Sequence, residues 1–179
     1  MIIRQMRIEE LPIIAEIYRD TFKATHQGIV TDSFIQSLTY KNALARLERI
    51  FNNAENQPFC FLVEIEDKII GFAVGSFTVN SIYGYEGELI MLYVLPSFQR
   101  MSIGKLLVHE VAKYFEANDV QSIVIGSFKN NTLARKFYES LGAVKIDEYI
   151  DEINGENFPI IIYGVASVHE LIKVLKRNT

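Results

Sequence analysis

The sequence predicts an α/β fold, with one mostly antiparallel central sheet and helices on both its faces. Three observations predict it. Strand-like runs alternate with stretches whose apolar residues recur at helical spacing. The run Leu89–Leu95, "LIMLYVL", is apolar without a break, as in a strand covered on both sides. Two tight-turn signals, Asp67-Lys68 and Asn154-Gly155, each join strand-like runs into an antiparallel hairpin.

The elements follow in order. "MIIRQM" reads as a short first strand. "EELPIIAEIYRDTFKAT" sets Leu11, Ile14, Ile17, Tyr18, Thr21 and Phe22 on one helical face, with Pro12 suited to the first turn. "HQG" ends that helix. "TDSFIQSLTYKNALARLERIF" resumes the helical period through Phe34, Leu38, Leu47 and Phe51, with Asp32 or Ser33 as cap. It reads equally as one helix or as two broken near Tyr40.

After the loop "NNAENQP" come the strands "FCFLVEIED" and "KIIGFAVGSFTV", then the loop "NSIYGYEG" and the central strand "ELIMLYVL". The helix that follows buries Ile103, Leu106, Leu107, Val111 and Phe115. "QSIVIGSF" is the next strand. "NTLARKFYESLG" is a helix with Asn131 near its N-cap, Phe137 and Leu141 in the core, and Gly142 at its stop. "AVKIDEYIDEI" and "NFPIIIYGV" form the last hairpin. "SVHELIKVLKR" closes the chain as a helix, with Ser167 and Glu170 spaced as a capping box.

Composition sets the frame. With 179 residues, 49% of them hydrophobic and 22% charged, the chain suits one globular domain, 1–179, in which 167–177 is an extra C-terminal helix. A formal net charge of −4 argues against a nucleic-acid surface, which would be basic. Cys60 is the only cysteine, so no intrachain disulfide forms and a cytoplasmic home is expected. The three histidines, His26, His109 and His169, are scattered, and no metal-ligand spacing appears. Charges fall too early for a secretory leader, and no apolar run is long enough for a membrane span.

Three places could carry chemistry. In "LPSFQRMSIGKLLV" a buried strand gives way to a short basic turn and then a helix. Unpaired N–H groups of the new helix's first turn, with Arg100 and Lys105 nearby and Gly104 allowing close approach, would seat an anion. The plainer reading is a capped helix start with two solvated cations. There is neither a Walker A pattern nor GxGxxG. Asn131 and Tyr138 are seven residues apart and return to one side of their helix, where they line a cleft or simply pack. Glu88 opens the most apolar strand, where desolvation would raise its pKa towards values useful to a general base, unless it is only a solvated strand end.

Together, "ELIMLYVLPSFQRMSIGKLL" and "NNTLARKFYESLGA" resemble the GNAT superfamily of acyl-CoA-dependent N-acetyltransferases. The family's pyrophosphate loop, Gln/Arg-x-x-Gly-x-Gly/Ala, matches Gln99, Arg100, Met101, Ser102, Ile103 and Gly104. Its Asn-x-x-Ala-x-x-Phe-Tyr-x-x-x-Gly pattern matches Asn131, Ala134, Phe137, Tyr138 and Gly142. The order of elements agrees over nearly the whole chain. One departure stands out: the loop's first glycine is Ser102. A positive φ there would strain a serine, whereas helical geometry would leave its hydroxyl free for a phosphate oxygen.

The resemblance implies acetyl-CoA as co-substrate, without a metal, and transfer of its acetyl group to an amine by direct attack. The backbone of Leu92, Tyr93 and Val94 would pair with the pantetheine arm, amides from Arg100 to Lys105 would hold the pyrophosphate, and Asn131 would contact the arm. Tyr138 would serve the thioester sulfur, and Glu88 matches a general-base position of some members. A binding-only acyl-CoA sensor is the rival reading, and a binder of another phosphorylated ligand a third. The loop "THQGIVTD", the segment "NSIYGYEGE" and the hairpin "DEYIDEINGE" would wall the acceptor site. Asp147, Glu148, Asp151, Glu152 and Glu156 suit a cationic amine such as a polyamine, or are simply the solvated surface of a hairpin. The acceptor would be a small-molecule or peptide amine, with no nucleic acid or membrane as partner. The apolar stripe of Val168–Lys176 would cover the domain or a second copy in a homodimer.

Overall fold

The computed structural model describes residues 1–78 and 82–177. Seven strands form one sheet: β1 (Ile2–Gln5), β2 (Phe59–Ile65), β3 (Lys68–Phe77), β4 (Gly87–Val94), β5 (Ile123–Phe128), β6 (Val144–Ile153) and β7 (Glu156–Val165). Their order is β1-β2-β3-β4-β5-β7-β6. Every neighbouring pair is antiparallel except β4 and β5. Among the described residues six α-helices complete the fold: α1 (Leu11–Thr25), α2 (Asp32–Ser37), α3 (Tyr40–Phe51), α4 (Ile103–Ala117), α5 (Thr132–Ser140) and α6 (Val168–Arg177). α1, α2 and α3 cover one face of the sheet; α4, α5 and α6 cover the other. The mixed, mostly antiparallel architecture is the one expected from the sequence.

The local chemistry explains most boundaries. The face of α1 that the period selected is buried throughout, from Leu11 to Phe22. Its start is pinned by Glu10, whose carboxylate accepts bonds from Arg4 at 2.7 Å and from the Arg7 amide at 2.8 Å. Those bonds hold the Glu10 pKa down at about 2. The next helical stretch is two helices, because Thr39 breaks it: its side chain accepts from the Asn42 amide and starts α3 afresh. Thr31 caps α2, accepting from Phe34 N, so the cap lies one residue before the expected Asp32 or Ser33.

Two further boundaries differ. The β2–β3 turn is Glu66-Asp67, not Asp67-Lys68, with φ of 50° and 59°. Both central residues are left-handed, which matches the twist of a two-residue hairpin. Asn154 and Gly155 do the same between β6 and β7, as expected. In α4 Leu106 is only half-buried, and Val108 and Ala112 take its place in the core. The helix is turned so that 103, 107, 108, 111, 112 and 115 face the sheet. Of the expected elements, Val79 at the end of β3, Asn80 and Ser81 of the following loop, and Asn178 and Thr179 lie outside the described residues. Among the described residues no helix is long and apolar enough to cross a membrane.

One irregularity shapes the middle of the sheet. Between β3 and β4 the register runs Val74↔Met91 and then Gly75↔Leu89, so Ile90 is an extra residue, a β-bulge. The parallel ladder of β4 with β5 ends at Leu89↔Ile125, although β4 continues to Val94 and β5 to Phe128. The two strands part where the bulge bends β4.

Phe115 locks the closed end of this arrangement. Its ring is fully buried, 5.1 Å from that of Phe59, and lies so close to Gly87 that a Cβ there would sit 2.6 Å from its Cε1. We expect Phe115→Ala to cost about 3–5 kcal/mol of stability, read as a lower urea midpoint. A loss within 1 kcal/mol (roughly that of a surface change) would mean that the α4 face is not the main core.

Candidate active site

From Val94 the chain runs through a 3-10 turn at Pro96–Phe98 and enters α4 at Ile103. Gln99 reaches back, its Nε2 donating to the Val94 carbonyl oxygen at 2.9 Å, and so closes the loop on the strand end. Arg100 and Ser102 are both left-handed, with φ of 64° and 61°, and Met101 between them is not. Alternation of this kind turns successive N–H groups to one side and forms an anion nest. The free amides of α4's first turn extend it, with the positive end of the helix dipole behind them. Ser102 is the N-cap residue, but its hydroxyl makes no cap bond. It therefore carries the steric strain of a positive φ, the first of the two alternatives above.

A cavity of about 420 Å³ opens along this loop, between the end of β4 and α5. Leu92, Val94, Phe98 and Phe137 make its apolar part; Arg100 and Lys105 make a cationic rim. Neither cation is ion-paired among the described residues. A Cβ added to Gly104 would sit 3.5 Å from Phe137 Cζ and 3.9 Å from Leu92 Cδ2, inside this space. Glycine keeps the helix start bare where a ligand would lie.

On the opposite face of the sheet a second cavity, of about 250 Å³, lies under α1, α2 and α3. Its walls are aromatic and charged together: Tyr18, Phe22, Phe34, Tyr93, Phe128 and Tyr149 beside Arg46, Glu88 and Asp151. Leu92, Ala134 and Tyr138 line both cavities. These three residues stand between the two spaces, beside the gap where β4 and β5 part. A third cavity, of about 440 Å³, shares Glu88, Gly126 and Tyr149 with the second, so Glu88 stands between them.

Burial tunes the titratable groups here. It raises the Glu88 carboxyl above the ordinary carboxylate range, and the positive charge of Arg46 partly offsets the rise. It pushes the Tyr138 phenol up to about 12 and Tyr93 well above its usual value. Both phenols stay protonated at neutral pH. His26 is held down to about 4 by burial, against a hydrogen bond to the Phe22 carbonyl, and its ring stacks on Phe22 at 4.0 Å. Among the described residues no three His, Cys, Asp or Glu side chains converge as a metal site.

The residues singled out from the sequence divide between the two spaces. Leu92, Val94, Gln99, Arg100, Ser102, Ile103, Gly104, Lys105 and Tyr138 line the first cavity. Tyr93 and Asn131 line the second, and Asn131 also caps α5, its Oδ1 accepting from Ala134 N at 3.1 Å. Met101 is exposed and lines neither. Phe137, expected in the core, is half-buried and walls the first cavity instead. Sequence reasoning missed Tyr18, Arg46 and Tyr93's ring as site residues. Arg46 gave no signal, being one more charge on an amphipathic helix. The acidic hairpin is largely engaged by the protein itself. Asp147 accepts from Tyr83, Glu148 pairs with Lys129 and Lys145, and Glu156 accepts from Thr31 and Ser33.

Strand order and the parted parallel pair define the class: an α/β fold whose mixed sheet opens between β4 and β5 beyond Leu89. Residues 13–143 match the model of the acetyltransferase (GNAT) family, and the chain belongs to that family. It is 22% identical over 175 residues to the uncharacterized N-acetyltransferase YuaI of Bacillus subtilis, covering 98% of each chain. It is 27% identical over 143 residues to the spermidine N(1)-acetyltransferase of Thermoplasma acidophilum, covering 78% of this chain and 86% of that one. The fold superposes on the PaiA N-acetyltransferase of Thermoplasma acidophilum, solved in complex with coenzyme A. That match has a TM-score of 0.65 and 21% identity, over 89% of this chain and 96% of the other.

The strain at Ser102 can be measured. Ser102→Gly removes a left-handed cost of about 1–2 kcal/mol and adds about 0.5–1 kcal/mol of unfolded-state entropy. The expected net is a rise in melting temperature of about 1–4 °C. A fall would show that the serine side chain makes a stabilising contact outweighing its backbone strain.

Proposed function

We propose that the protein is an acetyl-CoA-dependent N-acetyltransferase that moves the acetyl group to a primary amine of a small molecule or peptide by direct attack. The observation that carries this reading is the meeting of two cavities at Leu92, Ala134 and Tyr138. One has an anion nest with two unpaired cations; the other holds a desolvated carboxylate. A binding-only module would have no use for a carboxylate and a neutral phenol brought to the junction of two sites. The coenzyme A bound by the Thermoplasma structural relative supports the same reading.

The residues present fit the coenzyme. The amides from Arg100 to Lys105, with both cations, would hold its diphosphate. The edge of β4 beyond Leu89, left without a β5 partner, would pair with the amides of the pantetheine arm as an added strand would. Leu92, Phe98 and Phe137 would cover the arm. Asn131, on the second-cavity side of the gap, uses Oδ1 on its own helix, and its Nδ2 would meet only the end of the arm that reaches the junction. Bound there, acetyl-CoA supplies the acetyl group as an activated thioester.

The chain's own groups then do the rest. A primary amine has a reference pKa of about 10 and arrives mostly protonated. Glu88, directly or through water, accepts that proton, an assistance typically worth about 10²–10⁴-fold. A backbone N–H of Leu92–Val94 stabilises charge on the carbonyl oxygen as the C–N bond forms. Tyr138, neutral because buried, donates its proton to the sulfur as the C–S bond breaks. Confinement of both reactants at the junction supplies proximity.

Two substitutions test the assignments. Tyr138→Phe should lower kcat about 10²-fold while calorimetry shows acetyl-CoA still binding; unchanged turnover would refute the role of the phenol. Glu88→Gln should be most impaired near neutral pH and recover as pH rises, because more acceptor then arrives already deprotonated. The wild-type acid limb should lie above the ordinary carboxylate range, where Glu88 takes up its proton. A deficit that is flat across pH would leave Glu88 with a structural part only.

A further inference from the structure

Among the described residues Arg46 is the one cation lining the second cavity, and the proposed chemistry does not use it. It projects from α3 into that space, and its Nε is buried with no hydrogen-bond partner. Its guanidinium carbon is 6.0 Å from the centre of the Tyr18 ring. It forms no ion pair among the described residues, although Glu88 and Asp151 line the same cavity and are themselves unpaired. One cation and two carboxylates thus line about 250 Å³ with no direct ion pair among them. Arg46 is half-buried, and a buried Nε–H left without an acceptor costs free energy that is recovered when an anion fills the place.

We propose that the acceptor is an amino carboxylate: an amine whose own carboxylate is held by Arg46 while its amino group lies towards Glu88. This rests on the acetyl-transfer reading above and narrows it. Arginine's planar fork matches a carboxylate in a way that neither a lysine nor a lone amide would. A polycation fits less well, because it offers no acceptor to the unpartnered Nε of Arg46. The hairpin acids that would have favoured one are also largely engaged elsewhere, only Asp151 among them facing this cavity. The volume suits a free amino acid or the carboxylate end of a short peptide; both present the same chemistry.

The test compares acceptors that differ only at the carboxylate: lysine, its primary amide and the decarboxylated diamine cadaverine, then the same trio built on phenylalanine. A lysyl dipeptide separates free amino acid from peptide end. Acetyl-CoA is the donor and thiol release the readout. The acid should exceed its amide in kcat/KM by about 10- to 100-fold, the worth of a charge-assisted contact. The amide's amine is the less basic, with a pKa of about 8, so its intrinsic chemistry works against this outcome. Arg46→Met should bring the acid-to-amide ratio to about one, and Arg46→Lys should leave it between.

Amides or diamines acetylated as well as the acids would overturn the proposal, and so would a variant that slows acid and amide alike. If Arg46→Met fails to melt cooperatively, Arg46→Lys carries the comparison. Heat on mixing with acetyl-CoA, together with acetylation of cadaverine but not lysine, sinks this inference alone. No heat and no thiol release with any amine sinks the acetyl-transfer reading as well.

Discussion

The extra residue at Ile90 is the constraint on which the site depends. A strand cannot bend out of a ladder and stay paired on both edges, and the bulge bends β4 at the last residue that still pairs with β5. Past that point one edge of β4 remains bonded to β3, while the other faces a gap with its amides unspent. The bulge also resets which side chains face which way. Ile90 and Met91 both join the core under α1, α2 and α3, after which Leu92 and Val94 point to the α4 face and Tyr93 away from it. One inserted residue therefore opens the gap and distributes its lining between the two cavities.

The two sides of the gap are electrically unlike, and each gets its character from a different source. On the α4 side the positive potential comes from backbone geometry, helped by exposed Arg100 and half-buried Lys105. On the other side burial does the work: it keeps Tyr138 protonated, lifts Glu88 and holds His26 neutral. A carboxylate with a raised pKa is a stronger base towards an ammonium than a solvated one, provided it is still ionised at the working pH. Arg46 matters here too, since its charge limits how far Glu88 rises.

Much of this was legible in the sequence because it is local. The turn after an unbroken apolar strand, the Asn131 cap and the Asn154-Gly155 hairpin are each decided by a few adjacent residues, and they stand where the sequence puts them. The misreadings have one cause as well. The sequence alone does not single out Thr31 and Thr39 as caps, because several Ser, Thr and Asp residues compete there and only the packing of α2 and α3 selects between them. Phe137 looks like core by its spacing; that it walls a cavity follows from the parting of β4 and β5 some forty residues earlier. The bulge left no mark on an uninterrupted apolar run. Arg46 is a site residue only because α3 packs on the face of the sheet where Glu88 lines the cavity.

The loop between β4 and α4 shows how such non-local order is used. Two non-glycine residues close together, Arg100 and Ser102, sit in the left-handed region, each at a cost that an isolated peptide would relax. What prevents relaxation lies at the two ends. Gln99 is tied to Val94, and Ile103, Leu107, Val111 and Phe115 anchor α4 in the core. The strain is thus held by burial elsewhere in the fold, and the amides of the nest point to one side before any anion arrives. A ligand that meets donors already in place need not lose free energy to ordering the loop. By the same reasoning a serine can stand where a glycine would be unstrained, so long as the core under α4 is sound.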